Sequence, residues 1–244
     1  MEIIGRGFIA RSLESVAGRH PGATVLAAGV SSTSVQAPEE FARETAMVDD
    51  VTRRCRREGR LLVYLSTASH AMYGSTDAAA DENTPVAPES PYGRQKLRLE
   101  QAITASGVRS LILRLSHVTG PGQPDHHLLP AFVRQIRGGT VRLYRGAHRD
   151  LVDVADVIGA IDGLIGLGVH DVVNVASGVP RPVEELVEGI ERRMGAAPRH
   201  EVVEVTPVST TVSVDRLCAL LPALRPVREP DYLDRILNRY VRCY

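Results

Sequence analysis

Lysine is nearly missing from this chain: of 29 basic residues, only Lys96 is a lysine and the rest are arginines. Arginine stays protonated and presents a rigid fork, whereas lysine is a compact ammonium whose pKa can be tuned. A lysine kept against that bias points to chemistry that arginine cannot perform. An excess of charge of either sign is missing too. The 29 acidic residues balance the 29 basic ones, which excludes a nucleic-acid footprint and a polybasic membrane surface. No apolar run approaches the ~18 residues of a spanning helix, so no membrane partner is expected. The chain opens on a strand-like Met1–Ile4 without a basic n-region or an apolar h-region, so no signal peptide is expected. Cysteines are few and odd in number: Cys55, Cys218 and Cys243, with no CxxC pairing. That excludes a disulfide framework and a zinc site and fits reduced thiols in a cytoplasmic protein. His126 and His127 are adjacent, with no carboxylate at helical spacing, so no metal is expected. What remains is 43% apolar, enough for the core of one α/β domain or of a nucleotide domain with a small lobe.

Apolar patterning alternates between strand and helix periods, which reads as βαβ units and a parallel sheet. Strands are predicted over Met1–Ile4, Thr24–Ala28, Leu61–Leu65, Arg109–Leu115, Val141–Tyr144, Asp171–Val175 and near Glu201–Val205. Helices are predicted over Phe8–Ala17, Pro38–Glu58, Pro91–Ala105, Leu128–Arg137, Val154–Ile165, Val183–Met194, Val214–Leu221 and Asp231–Tyr240. Ser90 is the expected N-cap of the helix that Pro91 opens. The proline-rich stretches Gly120–Pro124 and Pro222–Pro230 read as surface loops.

Three places carry chemistry. The first is Gly5-Arg6-Gly7-Phe8-Ile9-Ala10, which follows a strand and opens a helix. Glycines allow a tight turn and the close approach of a pyrophosphate, and the helix N-terminus offers free N–H groups to the anion. Ala10 in the third position still permits close helix packing. The acidic residue expected about 20 residues on, for ribose hydroxyls, is absent.

The second is Tyr92-Gly-Arg-Gln-Lys96. Positions i and i+4 share a helix face, so the phenol and the ammonium point the same way. A phenol with a pKa near 10 is a poor acid–base catalyst at neutral pH, and a nearby cation lowers that value. Hydride exchange with a nicotinamide, coupled to proton exchange with Tyr92, interconverts carbonyl and alcohol. The competing reading is a surface Lys96–Glu100 pair beside a packed tyrosine.

The third is Ser66-Thr67-Ala68-Ser69, at the end of the strongest core strand. Open α/β sheets bind ligands beyond the carboxyl ends of their strands. A hydroxyl there donates to a substrate oxygen. Counting from the strand favours Thr67, and counting back from Tyr73-Gly74 favours Ser69. A plain turn-capping role suits either one.

With these residues on the page, the chain resembles the extended short-chain dehydrogenase/reductases, in the NAD-dependent nucleotide-sugar epimerase/dehydratase/ketoreductase group. The GxGFIA turn, the Leu-Ser-Thr…Tyr-Gly strand end and the Tyr-x-x-x-Lys helix carry the resemblance. Leu113–Pro121, Arg149–Val154, Asn174–Gly178 and Pro182–Leu186 extend it over nearly the whole chain. It implies NAD or NADP as cofactor, held by Gly5, Arg6, Gly7, Phe8, Ile9, Ala28, Gly29, Ser66 and Lys96. It implies a nucleotide-sugar substrate held by His117 and Arg149, the latter on a diphosphate. It also implies a homodimer through the helices Pro38–Glu58 and Pro91–Ala105.

The chain departs from that family in its first half. Only about 55 residues separate Ala10 from Ser66, so about two βα units are missing, and these normally hold the adenosine end of the cofactor. The expected fold is therefore a Rossmann-like parallel sheet, helices on both faces, shortened in this way. Residues 1–116 and 152–177 are expected to form the dinucleotide-binding domain. Residues 117–151 and 178–244 are expected to form a small substrate lobe. Where dehydratases of the group carry Asp-Glu, Ala68-Ser69 stand here, and the strand end lacks the cysteine of 3,5-epimerising members. What remains is 4-keto reduction or 4-epimerisation. The alternative is a non-catalytic nucleotide-binding or sensing protein of the same fold.

Overall fold

The computed structural model describes residues 1–31, 37–76 and 78–244. Its first half runs β1 (Glu2–Ile4), α1 (Phe8–Ser12), β2 (Ala23–Leu26), α2 (Pro38–Glu58), β3 (Leu61–Thr67), α3 (His70–Tyr73), α4 (Pro91–Ala105) and β4 (Ser110–Leu115). Its second half runs β5 (His117–Thr119), α5 (Leu128–Arg137), β6 (Thr140–Arg149), β7 (Leu151–Asp153), α6 (Val154–Gly166), β8 (Val172–Val175), β9 (Arg181–Pro182), α7 (Val183–Met194), β10 (Arg199–Val208), α8 (Asp215–Leu220) and α9 (Tyr232–Tyr240). The predicted first helix is α-helical only to Ser12 and continues as a 3-10 segment, Leu13–Arg19.

Five parallel strands form the main sheet in the order β1-β2-β3-β4-β8. β3 is buried along nearly its whole length, as a central parallel strand covered on both faces must be. Its residues alternate between two cores. Leu61 and Val63 join α1 and α6 on one face. Leu62 and Tyr64 join α2 and α4 on the other. The period-2 alternation of strand side chains produces this split.

The shortening is visible in the topology. Among the described residues β1 pairs only with β2, so the strand that leads into the glycine turn is an edge strand. The strand order runs one way and never reverses, so the crevice that a reversal opens beside the first strand is not formed at β1. The step from β1 to β2 and the step from β2 to β3 go in the same direction across the sheet. Yet α1 packs on one face and α2 on the other. The two crossovers therefore have opposite hands. α4 shares the face of α2, and α6, before β8, shares that of α1.

A third core gathers α5, β6, α7 and α9. There β6 pairs with β10 in parallel and with β9 in antiparallel. The segment Val212–Cys218 packs instead into the sheet's own core. The stretch after β5 is a loop with Pro121, Gly122 and Pro124 exposed, as predicted, while Gly120 is buried and a Cβ there would meet Val154 and Phe8 at 2.4 and 3.1 Å. The Pro222–Arg228 stretch is a 3-10 segment, largely exposed as predicted, that buries Val227.

Candidate active site

At the glycine turn, Gly5 has φ +138°, and a Cβ there would lie 2.2 Å from the Ala27 carbonyl oxygen. Only glycine fits both the conformation and the approach. Gly7 is exposed with nothing within 4 Å of a Cβ, and it opens α1 with no side-chain cap. The first N–H groups of that helix are thus left to solvent or to a ligand. Phe8 is buried under Gly120 and Ile9 packs against the sheet's core. Arg6 is exposed, its carbonyl taken by Arg11.

A continuous line of contacts runs from that turn to the predicted tyrosine. Gly5 touches Ala27 and Ala28 at the carboxyl end of β2. Gly29 follows with φ +120°, and a Cβ there would meet the Glu44 carboxylate at 2.3 Å. Glu44 Oε1 accepts the Val30 N–H at 3.1 Å and the Lys96 ammonium at 2.8 Å. The Lys96 Nζ lies 5.7 Å from the Tyr92 ring centroid and 5.4 Å from that of Tyr64.

Lys96 and Tyr92 share a buried helix face as the spacing predicts: they are 4% and 8% exposed. Ser90 caps α4 by accepting the Gly93 N–H, and Pro91 stands at its first turn. The surface Lys96–Glu100 pair is not formed. Glu100 is itself buried and holds Arg114 through a fork, with Nη2 at 2.7 Å and Nε at 3.1 and 3.2 Å from its oxygens. The charge of Lys96 is compensated instead by Glu44. Burial works against the ammonium. The phenols of Tyr64 and Tyr92 and the Glu44 carboxylate work for it, and the balance lies above the ordinary lysine value.

Glu44 escaped the sequence reading, although a signal existed. The buried residues of α2 are Glu44, Val48, Val51, Thr52 and Cys55, the i, i+4, i+7, i+8 stripe of an inward face. A glutamate heading such a stripe needs a buried partner.

The hydroxyls at the end of β3 divide between roles. Ser66 donates to Glu100, inside the Arg114 network. The hydroxyls of Thr67 and Ser69 lie 2.9 Å apart, and Ser69 caps α3 through the Ala71 N–H. This short helix presses on α4: a Cβ on Gly93 would lie 1.8 Å from the Ala71 carbonyl oxygen. Gly93 thereby brings Thr67 and Ser69 up to the start of the Tyr92 helix. Tyr73 donates to Asn174 at 2.8 Å and accepts from Arg114 at 2.9 Å.

His117 and Arg149 form a second cluster. Thr67 is in register with Leu115, so His117, two residues on, stands at the same carboxyl edge of the sheet. Burial first, and the Arg149 cation second, push its imidazole down to about 4. Arg149 is half-buried, donates to the His148 carbonyl at 2.8 Å, and among the described residues has no carboxylate partner. The adjacent Asp150, also missed in the sequence, is buried and accepts the N–H groups of Ser177 and Gly178 at 2.8 Å each. It ties this edge to the turn after β8. His126 and His127 meet edge to face with ring centroids 4.8 Å apart. Among the described residues, no hydrogen bond, ion pair or ring contact joins the His117–Arg149 cluster to Tyr92 directly.

A parallel sheet with helices on both faces, a glycine turn and a buried Tyr-x-x-x-Lys helix define a protein of the short-chain dehydrogenase/reductase type. Comparison with known proteins gives the particular branch. The model of the NAD dependent epimerase/dehydratase family matches residues 10–176, and the chain belongs to that family. It is 30% identical over 157 residues to a dTDP-6-deoxy-L-talose 4-dehydrogenase (NAD(P)(+)) of Kitasatospora kifunensis, covering 59% of this chain and 49% of that protein. It is 28% identical over 172 residues to a dTDP-glucose 4,6-dehydratase of Streptomyces niveus, covering 67% and 51%. The chain thus spans about half the length of the curated relatives it matches. Among solved structures, MoeE5 in complex with UDP-glucose and NAD superposes with a TM-score of 0.83 at 21% identity, over 100% of this chain and 98% of that one. The UDP-glucose 4-epimerase of Thermus thermophilus in complex with NAD superposes with a TM-score of 0.77 at 22% identity, covering 96% and 81%. At these identities the likeness is one of fold.

Proposed function

We propose that this chain is an NAD(P)-dependent enzyme acting on a nucleotide-linked sugar, by 4-keto reduction or 4-epimerisation, with Tyr92 as general acid/base. The observation that carries the reading is the unbroken line Gly5–Ala28–Gly29–Glu44–Lys96–Tyr92 along one edge of the sheet. It joins a turn suited to a diphosphate to a phenol suited to moving a proton. The residues present fit the cofactor at its diphosphate, where Gly7 faces open space beside uncapped helix N–H groups. Gly5, Arg6, Gly7, Phe8 and Ile9 would hold that part, with Ala28, Gly29, Ser66 and Lys96 along the rest. When bound, the nicotinamide supplies or takes up a hydride.

The chain's own residues do the remainder. Lys96 holds its ammonium 5.7 Å from the Tyr92 ring centroid. Tyr92 gives its proton to the carbonyl oxygen in reduction, or takes it from the alcohol in the reverse sense. Thr67 or Ser69 orients that oxygen. Arg149, half-buried and without a carboxylate among the described residues, suits the nucleotide diphosphate, and His117, neutral at pH 7, lies beside it. The relative from K. kifunensis, a 4-dehydrogenase taking NAD(P), supports oxidoreduction at this position of a sugar. MoeE5, whose chain this one covers almost entirely, supports a nucleotide sugar and NAD in a fold of this extent. A homodimer through α2 and α4 belongs to the same proposal.

A Tyr92→Phe variant keeps nucleotide binding and loses turnover of a dTDP- or UDP-linked 4-ketohexose by ~10²–10⁴-fold. Unchanged turnover sinks the mechanism. Arg149→Ala weakens nucleotide-sugar affinity about tenfold, the worth of one charged hydrogen bond, as read by calorimetric titration. Unchanged affinity removes Arg149 from the site. The edge position of β1 favours a second reading, a nucleotide sensor without turnover. Titration with NADH and NADPH separates the two: no shift in melting temperature up to millimolar cofactor supports the sensor.

A further inference from the structure

Lys96 is enclosed in protein, and its surroundings are almost all uncharged. Two tyrosine rings, Tyr64 on β3 and Tyr92 on its own helix, stand 5.4 and 5.7 Å from Nζ. The hydroxyl of Tyr64 is buried without a hydrogen-bond partner among the described residues. The neighbouring charges of Glu100 and Arg114 satisfy one another. α3, packed against α4 at Gly93, contributes an exposed His70. Among the described residues, the only carboxylate on the ammonium is that of Glu44, brought in by α2 at 2.8 Å. Its position is enforced from three sides. Val30 N–H binds the same oxygen, Gly29 leaves the space that a Cβ would take, and the i, i+4 stripe of α2 turns the side chain inward. The other oxygen, Oε2, is buried and has no hydrogen-bond partner among the described residues.

A lysine enclosed in this way and left alone loses its proton several pH units below the ordinary value, because burial penalises the charged form. We infer that Glu44 is a positioning residue, a dedicated counter-ion that keeps Lys96 charged and aimed at Tyr92. Helix α2 thereby controls the proton chemistry of the site. The electrostatic half of this inference stands on the geometry alone. The catalytic half rests on the assignment of Tyr92 as acid/base.

The composition makes the test direct. With one lysine in the chain, protein labelled with ¹³Cε-lysine gives a single lysine resonance, whose shift reports the charge on Lys96 without any substrate. In the unaltered protein that resonance keeps its charged position beyond the ~10.4 of a free lysine. A Glu44→Gln variant, which keeps the shape and removes the charge, moves the midpoint down by at least about two pH units. Glu44→Asp falls between the two. A midpoint in the unaltered protein at or below the free-lysine value overturns the inference even where no variant folds. So does a Glu44→Gln midpoint equal to that of the unaltered protein. The second arm is the pH profile of 4-keto reduction. In Glu44→Gln, kcat falls away above the pH read by the lysine resonance while KM for the nucleotide sugar holds. If the resonance shifts and the profile does not, the counter-ion stands and the role given to Tyr92 fails.

Discussion

Two buried ion pairs anchor α4, and they are built differently. Arg114 and Glu100 form a fork in which both carboxylate oxygens are used, with Ser66 and Tyr73 completing the set. Lys96 and Glu44 meet through one oxygen, and the second oxygen has no partner among the described residues. A buried pair with every position filled rigidifies a core, while a partly filled one is costly to keep. The first pair is what a structural brace requires. The second keeps an ammonium, a free carboxylate oxygen and a buried phenol within reach of Tyr92. The chain uses arginine for the brace and its only lysine for the other pair, as a bidentate grip and a tunable charge respectively demand.

The comparison breaks most sharply at the brace. Glu100→Ala leaves Arg114 buried without its counter-charge and costs about 3–5 kcal/mol of stability, read from the urea midpoint. A loss below about 1 kcal/mol shows that water reaches Arg114 and that the two pairs are not different in kind. A smaller effect comes from Gly29→Ala, which puts a Cβ onto the Glu44 carboxylate at a backbone conformation foreign to alanine. It costs about 1–3 kcal/mol and lowers the lysine midpoint as Glu44→Gln does. A stability loss without movement of that midpoint shows Glu44 to be replaceable by solvent.

A further effect lies outside both pairs. In the native chain His117 binds its proton near pH 4, against 6.5 for the free side chain. Protonation therefore favours the unfolded state. Its contribution to stability is complete above about pH 6.5 and is lost as the pH falls towards 4. Melting temperatures measured across that window fall more steeply for the native chain than for His117→Gln. Equal slopes place His117 in contact with water.

Much of this was legible in the sequence because it depends on neighbours along the chain. Apolar period, Ser90-Pro91 and the glycine turn specify α4 and the βα start, since caps and turns are settled within a few residues. The Tyr92/Lys96 face follows from helix geometry alone. Even the missing βα units showed as a short count between Ala10 and Ser66. Three things were not legible. The partner of Lys96 lies 52 residues away, and nothing local chooses between Glu44 and Glu100. Ser66 looks like a ligand-facing hydroxyl until Arg114 arrives from the neighbouring strand and draws Glu100 to it. Within the Gly120–Pro124 surface loop, nothing local shows that Gly120 is packed against Phe8 and Val154.

The sequence by itself determined the elements, the turn and the pairing of a phenol with the chain's single ammonium, because each is set by contacts between residues close in the chain. Only the tertiary structure decided which carboxylate meets which cation, which strand stands at the edge, and that the ammonium is compensated. Those depend on long-range packing of α2, β3 and β4, where burial makes the charge of each group a property of partners far away in the chain.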